Sequence, residues 1–139
     1  MNATRKSLIL AAVLLCALLG LSMAHAADPV PIGTILTDPD PYQSRLDPVT
    51  IQGRVRNLNI LPPYSSKCGP TYNAFTLKLD DGTGSIVVES AGNCRDPQSS
   101  IPFADGDLLV VEGQVKVLLD KEGDDRVIIS IWKVTRVGK

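Results

Sequence analysis

The 139-residue chain carries 14 basic and 15 acidic residues, one histidine, three cysteines and only 4% aromatic residues. This near-neutral balance lacks the basic stripe on which proteins that grip nucleic-acid phosphates usually depend. A single imidazole, at His25, removes most histidine-based hydrolase and metal-centre designs.

In chain order, residues 1–26 read as a signal peptide. Arg5 and Lys6 precede an apolar run at 8–21, and Ala24-His25-Ala26 has the small-x-small form of a cleavage site. At about fourteen residues the run falls short of the roughly 20 that span a bilayer. Cys16 follows Leu15 rather than a small residue, so it does not read as a lipid-attachment site. Cleavage after Ala26 predicts a periplasmic or secreted protein with no membrane span. Two basic residues, Cys16 and His25 leave with the signal, so the mature chain is mildly acidic and has no imidazole. Cys68 and Cys94 remain, and an even cysteine count in an exported small domain predicts a disulfide.

Residues 27–48, rich in Pro and Asp, form an N-terminal lead-in. Ile32, Ile35 and Leu36 are spaced for one side of a short helical turn, which Pro39 and Pro41 then stop. From residue 49 the apolar period becomes two. Val49, Ile51 and Val55 alternate with polar residues, and Gly53 stands in the apolar row, the mark of a bend or close backbone approach. Residues 61–71, LPPYSSKCGPT, have loop composition. Phe75, Leu77 and Leu79 resume the alternation, and Asp-Asp-Gly-Thr-Gly at 80–84 supplies a tight hairpin turn before Ile86 and Val88. Residues 91–106 are irregular, with room for one helical turn. Leu109, Val111, Val115 and Val117 then share a row with Gly113, and RVIISIWKVTRV closes the chain. Five strands without a long helical period predict an all-β domain at 49–137.

The segments VTIQGRVRN, LDDGTGSIVV and FADGDLLVVEGQVK, in this order, resemble the OB (oligonucleotide/oligosaccharide-binding) superfamily. The lead-in PIGTILTDPDPY resembles the segment preceding small exported bacterial OB domains. The resemblance implies a five-stranded Greek-key barrel whose first strand bends to pair twice, with a short helical turn before strand 1. It leaves a place for another between strands 3 and 4. The hairpin turn centres near residues 81–83, and Cys68 and Cys94 lie nearly equidistant from it. They are therefore expected to face each other at the open ends of the hairpin and to bond.

Ligands of OB domains lie across strands 2 and 3. By position, that surface would include Arg54, Arg56, Thr76 and Lys78, with Tyr64 and Tyr72 on or beside the first loop. Arginine can take phosphate or carboxylate, and tyrosine can stack on bases or sugars. Trp132 and Phe75 are expected to be partly core. The carboxylates of DKEGDD, 120–125, match neither the spacing nor the closing glutamate of a calcium loop and read as a hairpin tip. Asp80 and Asp81 read as turn formers, since adjacent strand residues face opposite ways. Some exported OB domains attach haem through a histidine, which the mature chain lacks.

These readings predict a non-catalytic exported binding or assembly module, stapled by Cys68–Cys94, with no cofactor or metal. Its partner is an unnamed protein or an oligosaccharide or oligonucleotide. Two alternatives stand beside it: a single-stranded DNA or RNA binder using the same residues, and a carboxylate-based enzyme acting on a glycan.

Overall fold

The computed structural model describes residues 27–44 and 46–138; the signal-peptide expectation at 1–26 lies outside them. The described chain is all-β. Helix α1 (Ile32–Thr37) and a 3-10 turn (Asp40–Tyr42) precede β1 (Val49–Ile60), β2 (Tyr64–Ser66), β3 (Gly69–Thr71), β4 (Phe75–Asp80), β5 (Ser85–Ser90), β6 (Leu108–Leu119) and β7 (Asp125–Arg136). Five strands close a barrel in the order β1-β4-β5-β7-β6, and β2 and β3 form a separate small hairpin. Among the described residues no helix is long and apolar enough to cross a membrane.

The expected double pairing of the first strand is present. Residues Val49 to Arg54 pair with β6, and Arg54 to Ile60 pair with β4, so Arg54 belongs to both ladders. Gly53 sits at this change of partner. A Cβ there would lie 2.8 Å from the Asp80 carbonyl oxygen and 2.9 Å from its carbon. The strand can cross this close to its neighbour only because the side chain is absent. The β4–β5 hairpin holds one register throughout, from Phe75 opposite Ser90 to Asp80 opposite Ser85. Closure is made by a short parallel pairing, Val87 to Glu89 against Ile128 to Ser130.

The period-two rows fill the inside. Ile51, Val55, Leu79, Val88, Leu109, Val111 and Ile129 are fully buried. The lead-in adds Ile32 and Ile35, both fully buried, while Leu36 stays 38% exposed. Phe75 is core as expected, and it meets Phe103 edge to face with ring centroids 5.4 Å apart. Trp132 departs from expectation: it is 52% exposed. Val127, Ile129 and Ile131 set the inward row of β7, which leaves Trp132 on the outward one. A bulge follows, where Gly113 opposes Ile131 and Glu112 opposes Lys133, so Trp132 has no partner in the ladder.

Two other expectations are corrected. The stretch 61–71 is not only loop, because β2 and β3 pair from Tyr64–Thr71 to Ser66–Gly69. Residues 91–107 hold turns and bends in place of a helical turn. Pro97 and Pro102 interrupt any helical ladder there. The carboxylates of Asp96 and Asp107 instead accept local amides from Gln98 and Ala104. Phe103, near the end of this segment, reaches the core.

Candidate functional site

Alternation fixes which side chains the barrel shows to solvent. Leu77, Val88, Ile129 and Val115 oppose one another in turn and are buried. The rows beside them therefore face outward. One such row runs Arg56, Lys78, Val87, Ile128, Lys116 across five strands, although Ile128 is itself buried. Its neighbour runs Asn59, Thr76, Glu89, Ser130, Gln114.

Arg56 and Lys78 are direct cross-strand partners, both exposed. Among the described residues neither makes an ion pair with a carboxylate; the three ion pairs present use Lys116, Lys133 and Arg136. Like charges placed directly opposite on neighbouring strands destabilise a sheet. Arg54 joins Arg56, but not Lys78, in a cleft of about 340 Å³ that also includes Gln52, Asp80, Asp81 and Gly82. Its guanidinium donates to the Gly106 carbonyl at 3.1 Å, which holds the side chain along the edge of the cleft.

Thr76 and Tyr64 meet in a second cleft, of about 290 Å³, with Glu89, Lys116 and Ser130. Tyr64 is 44% exposed, and its hydroxyl donates to the Ala91 carbonyl at 2.8 Å, so the small hairpin is tied down over β5. Lys116 reaches Glu89 at 3.9 Å. Tyr72 lines neither cleft; its backbone exchanges two hydrogen bonds with Asn93 and prolongs the β4–β5 ladder. The structure thus joins Arg54 with Arg56 at one end of the face and Tyr64 with Thr76 at the other. Lys78 stands beside Arg56. Glu89, Lys116 and Ser130 were not singled out from sequence, although each lies in the row that alternates with a buried residue, Val88, Val115 or Ile129.

The disulfide Cys68–Cys94 is present, with Cα atoms 6.1 Å apart. Cys68 lies in the turn between β2 and β3, so the bridge anchors that hairpin to the segment after β5. The Ser66 hydroxyl lies 3.1 Å from the Cys68 sulfur and accepts from Thr71 at 2.8 Å.

Both aspartates of the β4–β5 turn are used by backbone. Asp80 accepts from the Gly82 amide at 2.9 Å. Asp81 accepts from the Thr83 and Gly84 amides and the Thr83 hydroxyl, and also from the distant Ile32 amide. Burial pushes its carboxyl pKa up, but these hydrogen bonds outweigh that effect and hold it below its ordinary value. At the β6–β7 tip, Asp120 accepts from the Glu122 and Asp124 amides at 2.9 Å each. That loop is shaped by its own carboxylate, and no group of three or more metal-ligating side chains occurs among the described residues.

No protein-family model and no curated protein sequence matches this chain. Among solved structures it is similar to a protein assigned as an aspartyl-tRNA synthetase from Leishmania major Friedlin. Identity there is 17% and the TM-score 0.52, over 86% of this chain and 23% of that one. It is also similar to the second OB-fold domain of replication protein A from Methanococcus maripaludis. That match has 26% identity and a TM-score of 0.49, over 66% of this chain and 85% of the other. A third similarity is to a replication protein A heterotrimer bound to ssDNA, at 19% identity and a TM-score of 0.47, over 69% and 62%. The chain thus spans less than two thirds of the heterotrimer chain and under a quarter of the synthetase chain. Of these, the similarity to the synthetase bears on architecture alone. The five-stranded mixed closure with a doubly paired first strand is an OB-type barrel.

Proposed function

We propose that this protein is an exported, non-catalytic OB-type binding module whose outer β1–β4 face takes an anionic partner. The observation that carries the reading is the direct opposition of Arg56 and Lys78, two exposed cations without an acidic partner among the described residues. A sheet that keeps such a pair gives up stability, and a bound phosphate or carboxylate would recover it. Val87, next in the row and half-buried, would give the ligand a small apolar contact beside the two cations. Export rests on the leader-like residues 1–26 and on the disulfide, which persists in oxidising compartments. The absence of catalysis rests on the use of Asp80, Asp81 and Asp120 by backbone amides, which leaves them serving turns.

A second reading, a single-stranded nucleic-acid binder, is favoured by Tyr64 at the far end of the same face, where a base could stack. It is the weaker reading, because no second exposed aromatic accompanies Tyr64 in that cleft. Fluorescence anisotropy with a labelled oligoglutamate and a labelled oligothymidylate separates the two. Binding of both probes, steeply salt-dependent and weakened about tenfold or more in the Arg56→Ala/Lys78→Ala protein, supports the general anion site. Binding of the oligothymidylate alone supports the second reading. No binding of either at low salt overturns both. The mass of the exported protein tests processing after Ala26.

A further inference from the structure

We propose that the cleft beside Trp132 is a second binding site, for an uncharged saccharide, with the indole as its stacking platform. Trp132 is the sole tryptophan of the chain and is 52% exposed, held outward by the β7 bulge. Leaving so large an apolar surface in water works against stability unless something covers it. The cleft, of about 400 Å³, lies between β7 and the segment after β5, with the Phe75–Phe103 pair among its walls.

Its rim is polar and already ordered. Asn73, in the left-handed region at φ 57°, donates from Nδ2 to the Ser99 carbonyl at 2.6 Å and the Ser99 hydroxyl at 2.7 Å. Asn93 donates to the same hydroxyl at 3.1 Å. This locks the rim and leaves Asn73 Oδ1, the Ser100 hydroxyl and the Ser90 hydroxyl proton without a protein partner among the described residues. An apolar plate facing unpaired acceptors and hydroxyls suits a sugar ring, which offers C–H groups on one face and hydroxyls around its edge.

Charge selects against a nucleic acid here. Lys133, which lines the cleft, is paired with Glu112 at 3.0 Å, and Arg136 further along β7 is paired with Asp107 at 2.8 Å. Among the described residues that line the cleft no free cation remains to neutralise a phosphate, whereas stacked single strands rely on one. Neither Arg56 nor Lys78 lines this cleft, so this site stands or falls separately from the anion-binding reading.

Because Trp132 is the only tryptophan, its emission reports directly on this cleft. The oxidised protein would be titrated with chitotetraose, cellotetraose and a short oligothymidylate, with affinities confirmed by calorimetry. Expected is a saturable change in emission with at least one tetrasaccharide. Trp132→Ala would weaken that binding at least about tenfold, Trp132→Phe would restore most of it, and Ser100→Ala would weaken it several-fold. Arg56→Ala/Lys78→Ala would leave it unchanged. The proposal is overturned if neither tetrasaccharide binds, if Trp132→Ala binds as the parent does, or if the oligothymidylate binds this cleft more tightly than either sugar.

Discussion

Asp81 Oδ2 accepts the backbone amide proton of Ile32 at 2.8 Å, across 49 residues of chain. The helix that begins at Ile32 is preceded by Pro31, which has no side-chain acceptor to offer its first amides. The turn of the β4–β5 hairpin supplies one instead, while the other oxygen of the same carboxylate closes that turn. Removing it in Asp81→Ala should cost about 1–2 kcal/mol, the usual cost of losing a helix cap. Asp81→Asn should retain part of that. Urea midpoints of the three proteins check the order.

The same carboxylate gives a pH dependence whose sign is determined. Its folded pKa lies below the ordinary 3.8, so the charged form is the one the fold prefers. Its contribution is complete above the unfolded value and is lost as pH falls through the lower folded one. The stability difference between the parent and Asp81→Asn should therefore be largest near neutrality. It should shrink below about pH 4. Thermal unfolding measured down an acid series would show the two curves converging.

Gly53 and Gly113 mark places where neighbouring backbone lies too close for a side chain. An added Cβ would meet the Asp80 carbonyl at Gly53, and the Ser130 carbonyl and Ile129 side chain at Gly113. Gly53→Ala and Gly113→Ala should each destabilise by about 1–3 kcal/mol, the range for overpacking. At Gly82 the space is open but φ is 85°, so Gly82→Ala should cost about 1–2 kcal/mol through backbone strain alone. Denaturant midpoints with unchanged slopes would report both effects.

The Cys68–Cys94 bridge spans a sequence separation of 26 residues and holds the β2–β3 hairpin against the segment after β5. Reduction, or a Cys68→Ser/Cys94→Ser double substitution, should lower stability by about 2–4 kcal/mol. Calorimetric melting with and without reductant measures it. Alkylation followed by mass spectrometry should find no reactive thiol in the mature protein before reduction.

Arg56→Glu should separate binding from stability. Opposite charges on facing strand positions favour the sheet by about 0.2–1 kcal/mol, so a glutamate opposite Lys78 should raise the melting temperature slightly. Oligoglutamate binding should at the same time fall below detection. A variant that is less stable, or that binds unchanged, would contradict the role given to this pair.

Much of the barrel was legible because burial enforces a period of two along β1, β4, β5 and β6. Phe75, Leu77 and Leu79 against Ile86 and Val88, around an Asp-Gly turn, fix both the hairpin and its register. In β7 that period breaks, since the adjacent Ile128 and Ile129 are both buried, and Trp132 falls at the bulge without a ladder partner. Its size and apolarity suggested a place in the core, which the bulge denies it. The β2–β3 hairpin was hidden because its strands are three residues long and rich in Ser, Pro and Gly. Composition of that kind signals a loop, and pairing there depends on Tyr64, Thr71 and the disulfide. The division of the candidate face into two clefts was also invisible. It depends on where Arg54 is held by Gly106 and Tyr64 by Ala91, contacts between residues far apart in the chain.

The parallel contact between β5 and β7 involves only Val87 to Glu89 and Ile128 to Ser130, whereas β6 and β7 pair over nearly their full length. The cylinder therefore has a seam. Unzipping it would expose little backbone compared with opening any other junction, and opening free energies follow local pairing of this kind. Amides at the seam should exchange with deuterated solvent ahead of those deep in the β6–β7 ladder. Because Lys116 and Glu89 grip each other across β7, at the seam's outer lip, a guest seated on that lip would act as a clasp and slow the whole shell from springing apart.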